Sequence, residues 1–166
     1  MNRFGQKVLS LVTVLGAATA LVGVPAASGA TQAEVTGQSE LLVEMNAARA
    51  DHGLAPLSRS RVLARPARTH SVYLARTGQL DHTGADGRPF YVRLYKAGFS
   101  RRKAVGENLG MSSGCATNLA KTMVEMWLDS PGHRANLLSK RFKVVGLAVV
   151  AASDCSNTVY TTDFGG

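Results

Sequence analysis

The sequence predicts a single α+β domain, and three observations indicate this. Four segments carry apolar residues at helical spacing, and three other segments have the composition of strands. Residues 31–166, 136 in all, are enough for one hydrophobic core. The last two strands are separated by a short turn-like stretch and are expected to pair as an antiparallel hairpin. Helices are expected over 40–52, 60–78, 89–97 and 116–129, and strands over 104–111, 142–151 and 158–164.

The first thirty residues are predicted to lie outside this domain. Arg3 and Lys7 precede an apolar run from Val8 to Val24, and Ser28-Gly29-Ala30 fits a small-x-small cleavage pattern. This arrangement predicts that residues 1–30 are a secretory signal peptide cut after Ala30. The alternative is a retained membrane anchor, but the apolar run is short against the roughly 20 residues that a span needs. The protein is therefore expected to be secreted, with no transmembrane segment after cleavage.

The stretch after the cleavage site is polar and contains a glycine. Residues 31–38 are predicted to be a short flexible leader, which leaves 39–166 as the folded domain. Ser39 is expected to cap the first helix, because a serine oxygen can accept from the free amides of a first turn.

The second helix contains a proline and a histidine. Ser60 is a good N-cap, but Pro66 then either kinks the helix or marks its true first turn. His70 shares the apolar face of this helix, so it is expected to be a buried core histidine rather than a ligand.

A histidine follows the end of the fourth predicted helix. Ser130-Pro131-Gly132 should end that helix, because proline lacks an amide donor and glycine tolerates a left-handed exit. His133 is therefore expected at a chain reversal, where it is either part of a site or a solvated loop residue.

The charge of the chain is strongly positive. Without Arg3 and Lys7, 17 basic residues stand against 11 acidic ones, which suggests affinity for an anionic cell-envelope surface. Simple solubility is the alternative. The arginines are not interleaved with aromatic residues, and export also argues against a nucleic-acid partner.

The chain has two cysteines, Cys115 and Cys155. In an oxidising compartment an even pair predicts a disulfide. The closed loop of about 40 residues would stabilise the fold by roughly 3–4 kcal/mol in the chain-entropy treatment. Free thiols and a cysteine metal site are the alternatives, and no third cysteine supports the second.

Three residues could bind a metal or take part in catalysis: His82, Glu107 and His133. Two imidazoles and a carboxylate can ligate a divalent metal and leave one position for water, and zinc suits such ligands best. The same trio could act in acid–base catalysis. The alternative is that both histidines are loop residues and Glu107 a hydrogen-bonding strand acid. The metalloprotease motif His-Glu-x-x-His and the nucleophile motif Gly-x-Ser-x-Gly are both absent from the sequence.

Four motifs, taken in order, resemble the CAP superfamily, also called the SCP or cysteine-rich secretory, antigen 5 and pathogenesis-related domain. The resemblance covers nearly all of residues 31–166 and is to the bacterial secreted branch in particular. The motifs are Asn46-x-x-Arg49; His70-Ser71 followed by Leu80-x-His82; Gly106-Glu107-Asn108; and Trp127-x-x-Ser130-Pro131-Gly132-His133-Arg134-x-Asn136-Leu137-Leu138.

This resemblance implies an α-β-α sandwich, with a small antiparallel sheet between helix layers. It also implies a cleft in which His82, His133 and Glu107 converge, where some family members bind zinc or another divalent metal. Ser130 stands where the family has a second acid, and the loss of that carboxylate weakens the metal prediction. Hydrogen-bonding residues are expected around the cleft: Asn108, Asp129, Ser130 and Asn136.

Three classes of function follow from the resemblance. The preferred one is an extracellular or cell-envelope binding module, whose partner is an unidentified ligand, lipid or protein. The second is a protease-like hydrolase that uses Glu107 and the two histidines, although no nucleophile or oxyanion hole is identifiable. The third is a sterol or lipid binder, for which the segment 90–94 is the local apolar candidate.

Overall fold

The computed structural model describes residues 30–166, which form five helices and four strands. The predicted signal peptide lies outside the described residues, apart from Ala30. Within the part that is described, no helix is long and apolar enough to cross a membrane. The elements are α1 (Gln32–Asp51), β1 (Ser58–Arg59), α2 (Arg61–Thr77), α3 (Phe90–Lys96), β2 (Val105–Ser113), α4 (Ala120–Asp129), α5 (Pro131–Leu137), β3 (Val144–Ala151) and β4 (Asn157–Gly165).

One four-stranded sheet, in the order β1-β3-β4-β2, forms the middle layer. The predicted hairpin is confirmed, because β3 and β4 pair antiparallel with Val150 opposite Val159. β2 also pairs antiparallel with β4. The sheet as a whole is mixed rather than antiparallel, because the two-residue strand β1 runs parallel to β3. A strand this short has too few residues to show an alternating pattern in the sequence.

Helices cover both faces of the sheet, so the predicted α-β-α sandwich is confirmed. Side chains alternate along each strand, and each face therefore buries its own cluster. The larger cluster lies against α1 and α4 and includes Leu41, Met45, Met123, Trp127, Tyr160 and Phe164. The smaller cluster lies under α2 and includes Ala67, Leu74, Leu109, Ala148, Val150 and Val159.

The first helix begins earlier than the sequence pattern indicated. Thr31 accepts a hydrogen bond from the Glu34 amide at 3.2 Å, and the Glu34 carboxylate accepts one from the Thr31 amide at 2.8 Å. This capping box satisfies two free donors, so α1 starts at Gln32 and residues 32–38 are helical rather than a leader. Ser39, the predicted cap, lies inside α1 and donates to the Val35 carbonyl.

α2 begins at Arg61, so Pro66 lies inside the helix rather than at its start. Ser60 caps it by accepting from the Leu63 amide at 3.3 Å, as predicted. The backbone of α2 lies directly on β3, because a Cβ at Gly146 would overlap the backbone of Leu63.

His70 is a buried core residue, as predicted, with 3 % of its surface exposed. Its Nε2 lies 2.8 Å from the Asp81 carbonyl, which holds the loop after α2 against the helix. Burial lowers the pKa of His70 to about 4, with the charge of Arg93 acting in the same direction. The ring is therefore neutral at physiological pH.

The fourth helix starts at Ala120, four residues later than predicted, and no side chain caps it. Ser130-Pro131-Gly132 does end α4, but Pro131 also begins α5. A proline fits at a first helical position, where its missing amide would have no partner in any case. His133 consequently lies in the first turn of α5 and not in a loop.

Two tethers hold loops to this framework, and the first of them was predicted. The disulfide between Cys115 and Cys155 is confirmed, and it joins the loop after β2 to the turn between β3 and β4. Arg49, from the first motif, is 2 % exposed and donates to the Leu137 carbonyl at 2.8 Å and the Ser139 carbonyl at 3.0 Å. Arg49 therefore satisfies the free carbonyls at the end of α5.

Candidate functional site

His82 and Glu107 form the centre of the candidate site. The Nδ1 of His82 lies 2.7 Å from Oε1 of Glu107, and the histidine side chain is 52 % exposed while the glutamate is fully buried. A neutral imidazole can donate to the carboxylate only from a protonated Nδ1. Its Nε2 is then the free acceptor of the ring, as in the carboxylate-oriented histidine of acyl-transfer enzymes.

Arg93, on α3, holds both members of this pair. Its Nη2 forms a salt bridge with Oε2 of Glu107, and its Nη1 donates to the His82 carbonyl at 3.0 Å. Both oxygens of the Glu107 carboxylate are thus engaged, one by an imidazole and one by a guanidinium. Such charge-assisted bonds fix the carboxylate in place.

A second buried acid lies next to this pair. Asp163, on β4, stands directly opposite Glu107 on β2, so both side chains lie on the sheet face that carries α2 and α3. Asp163 is fully buried, and neither of its oxygens has a hydrogen-bond partner among residues 30–166. Burial raises the pKa of Asp163 to about 7, while the charge of Arg93 acts in the opposite direction.

The two site histidines are neutral at physiological pH. Burial and then the charge of Arg93 lower the pKa of His82. The charges of Asp81 and Asp163 act in the opposite direction and are the smaller effects. Burial lowers the pKa of His133 as well, and the charge of His82 contributes to this shift, so the two rings lie within electrostatic reach.

The backbone of His133 contacts β2 through Asn108, the residue after Glu107. Asn108 points to the opposite side of β2 from Glu107 because side chains alternate along a strand, and its Nδ2 donates to the His133 carbonyl at 3.0 Å. Asn136 donates to the Asn108 side chain at 3.0 Å. No hydrogen bond within the described chain joins the His133 ring to His82 or Glu107. The backbone of His133 therefore contacts β2 from the α5 side, while the residue lines an apolar cavity together with Leu80 and Leu109.

The remaining predicted residues have different positions. Ser130 lies at the junction of α4 and α5 and lines an apolar cavity beside β2. Asp129 is exposed at the end of α4, and no hydrogen bond or ion pair within residues 30–166 connects it to the other cleft residues.

β2 is an edge strand, and neighbouring side chains cap its outward carbonyls. Trp127 Nε1 donates to the Leu109 carbonyl at 3.0 Å, and Asn136 Nδ2 donates to the Glu107 carbonyl at 3.1 Å. Unpaired edge groups otherwise invite pairing with another strand. These two bonds therefore connect α4 and α5 to the sheet and protect its edge.

A cavity of about 260 Å³ opens at this edge, between the loop after α2 and helices α4 and α5. Its walls are mainly apolar, and three of the five methionines of the chain line it. Ser130 and His133 supply its polar groups. The apolar lining consists of Leu80, Leu109, Met111, Met123, Met126 and Trp127.

The donor set does not fit a divalent metal in this arrangement. Within residues 30–166, no group of three or more His, Cys, Asp or Glu side chains is placed to hold a metal ion. Both oxygens of Glu107 are engaged, and the adjacent guanidinium of Arg93 repels a cation. The structure therefore assigns no chemical step to a metal.

Sequence reasoning missed Arg93 and Asp163. Asp163 did leave a signal, because an acid in a strand that is otherwise Val, Tyr, Thr and Phe is costly to bury unless it has a role. Arg93 left no such signal, because an arginine on a short helix is common. Its role becomes visible only when the residue that it contacts is known.

The fold and site together define a small α-β-α sandwich domain with a polar cleft at the edge of its sheet. The model of the CAP family, described as the Cysteine-rich secretory protein family, matches residues 42–164. The chain belongs to this family, and the resemblance seen in its motifs is confirmed.

One curated relative is a bacterial protein. The chain is 30 % identical over 132 residues to the "Uncharacterized protein YkwD" of Bacillus subtilis (strain 168), covering 78 % of this chain and 48 % of that protein. It therefore spans about half the length of this curated relative.

Solved structures share the fold at lower identity. An outer surface protein from Borrelia burgdorferi has a TM-score of 0.64 at 21 % identity, over 78 % of this chain and 92 % of that one. An extracellular protein containing a SCP domain from Bacillus anthracis str. Ames has a TM-score of 0.63 at 24 % identity, over 79 % of this chain and 40 % of that one. These structures are similar in fold, and their names describe proteins outside the cell.

Proposed function

We propose that this protein is a binding module that acts outside the cell, and that its β2-edge cavity holds a small amphipathic ligand. The observation that carries the proposal is the lining of that cavity, which is apolar except for Ser130 and His133. Ligand sites typically combine an apolar wall with a few polar groups that orient the ligand. The extracellular setting rests on the predicted signal peptide, the disulfide and the named structural neighbours.

The volume of the cavity and the flexibility of its lining side chains define the class of ligand. At about 260 Å³ it is slightly smaller than the roughly 300–1,000 Å³ of ordinary ligand pockets. Methionine side chains are flexible and can adapt to differently shaped apolar groups. A neutral imidazole and a hydroxyl can bind an alcohol or a carboxyl group. Short acyl chains and small ring compounds with one such group therefore fit best.

Trp127 provides a direct measurement of binding, because it is the single tryptophan and lines the cavity. We expect decanoic acid or decanol to change its fluorescence in a saturable way. Met126→Asp should weaken this binding by at least about tenfold, because it places a charge against the apolar body of the ligand. Met126 is 55 % exposed, so the variant should fold.

Val43→Asp is the matched control for that experiment. Val43 is 64 % exposed on α1 and does not line the cavity, so the same charge there should leave binding unchanged. Equal weakening by both substitutions, or no fluorescence change with either probe, would contradict the proposed ligand site.

A hydrolase is the second candidate, and the 2.7 Å contact between His82 and Glu107 favours it. A carboxylate-oriented imidazole is a suitable general base. However, no Cys nucleophile is free, and no described serine or threonine lies in hydrogen-bond contact with His82. The hydrolase requires a turnover that Glu107→Gln abolishes while the protein stays folded, measured on peptide, ester and glycan substrates.

Zinc binding stays a prediction from the resemblance. It is tested by elemental analysis of the purified protein beside the double variant His82→Ala, His133→Ala. Zinc bound by the parent and lost from the variant would support a metal at the cleft. Equal metal content in both proteins would place any metal elsewhere.

A further inference from the structure

The outer face of α2 carries arginines that the cleft does not use. Residues 52–80 contain five arginines and no Asp, Glu or Lys, although the chain as a whole has 11 acids. Guanidinium groups are thus concentrated in α2 and in the short segment that precedes it. This segregation concentrates positive charge on one helix, which a uniformly solubilising surface does not need.

Three adjoining cavities run along this face and form one groove, which we call the α2 groove. Their volumes are about 580, 510 and 170 Å³. Arg68 and Val72 line both the first and the second, while Arg65 and Thr69 line both the second and the third. Because neighbouring cavities share wall residues, they adjoin along the helix. α2 has 17 residues, so the groove follows a helix of about 25 Å at 1.5 Å per residue.

The cations of the groove are only partly compensated. Arg68 forms a salt bridge with Glu34 at 3.3 Å, and Lys96, in the third cavity, pairs with Asp86 at 3.0 Å. Asp154 also lines the first cavity. By contrast, three exposed guanidiniums of α2 make no hydrogen bond or ion pair within residues 30–166. They belong to Arg61, Arg65 and Arg76.

We propose that the α2 groove binds a linear phosphate polymer of the cell surface. The planar donors of arginine match the oxygens of a phosphate in pairs, which lysine cannot do.

A concave, elongated surface suits a chain rather than a flat bilayer. Val62 and Val72 are the exposed large apolar residues of α2, at 42 % and 45 %, and interfacial helices instead present Trp, Phe or Leu to lipid. No aromatic residue lines the three cavities, so stacking of nucleic-acid bases is not provided for.

The test compares two triple variants of equal charge, with long-chain inorganic polyphosphate as the probe. The groove variant is Arg61→Gln, Arg65→Gln, Arg76→Gln, and the control is Arg101→Gln, Arg102→Gln, Lys103→Gln in an exposed turn. Each loses three positive charges. We expect the groove variant to bind at least about tenfold more weakly and to show a smaller salt dependence. The control should change binding by less than about twofold, since it only lowers the net charge.

Equal weakening by the two triple variants would overturn the proposal, because net charge alone would then explain binding. Binding to phosphatidylglycerol vesicles without binding to polyphosphate would also overturn it, in favour of a membrane surface. The Met126→Asp variant should bind polyphosphate like the parent protein. This last measurement separates the α2 groove from the β2-edge cavity, so either site can fail alone.

Discussion

Replacing Arg93 by Met is expected to lower the free energy of unfolding by about 3–5 kcal/mol. Glu107 and Asp163 are both fully buried, and Arg93 is the cation that lies against them. Without the guanidinium, buried carboxylate charge is left without compensation, which costs far more than the loss of one contact. The bond from Arg93 to the His82 carbonyl disappears as well, so the loop after α2 should loosen. Urea denaturation at pH 7 measures the loss.

Lys96→Met is the matched control for this effect. Lys96 lies on the same helix and also forms a salt bridge, but both it and Asp86 are more than half exposed. Surface pairs of this kind contribute about 0–1 kcal/mol, so the control should hardly change stability. Adding Glu107→Gln and Asp163→Asn to Arg93→Met should restore most of the lost stability, because no buried carboxyl group that can ionise is then left beside the missing guanidinium. A loss no larger than that of Lys96→Met would show that the buried acids do not depend on Arg93.

Asp163→Asn is expected to make the protein more stable at pH 8 and to leave its stability unchanged near pH 4. Burial raises the pKa of Asp163 from 3.8 in the unfolded chain to about 7 in the folded protein. Between these values the folded state holds a proton that the unfolded state has lost. The contribution of this group is therefore fully present below pH 4 and is lost as pH rises through 7.

The size of this effect follows from the shift in pKa. About three units correspond to roughly 4 kcal/mol between the two ends of the pH range, as an order of magnitude. Asn mimics the protonated acid, so the stability difference between variant and parent should grow from pH 4 to pH 8. His70, whose pKa is lowered to about 4, makes the unfolding free energy change with pH in the opposite direction. This contribution is the same in both proteins, so it cancels in their difference.

Asp154→Asn serves as the control, because Asp154 lies in the exposed turn between β3 and β4. Its pKa is lowered by hydrogen bonds from Ser156, the direction opposite to that of Asp163. Its substitution should therefore not stabilise the protein at pH 8. If the parent and Asp163→Asn show parallel unfolding free energies across the pH range, the buried acid is not protonated as described.

The main elements of this fold could be predicted from the sequence where local forces decide them. The β3–β4 hairpin and the apolar stripe of α4 follow from residue periodicity. The Cys115–Cys155 disulfide follows from an even cysteine count in a chain that the sequence predicts to be exported. The helix starts were the weakest predictions, because Thr31 and Glu34 cap α1 through two reciprocal bonds that a polar stretch conceals.

The sequence also identified His82, Glu107 and His133 through motifs, but not how they relate in space. Their arrangement depends on which face of β2 each neighbour contacts. Glu107 points toward α3 while Asn108 points toward α5, so two neighbouring motif residues contact different helices. Adjacent residues on a strand face opposite ways, and motif order along the chain carries no such information.

By itself, the sequence determined the family, the layer architecture, the disulfide and the residue types of the cleft, because these depend on local pattern and composition. Only the tertiary structure decided that Arg93 and Asp163 meet Glu107, and that Arg65, Arg68 and Arg76 line one groove. The physical reason is that burial and charge compensation arise between elements distant in the chain. A guanidinium on α3 acquires its role only when packing places two buried carboxyl groups beside it.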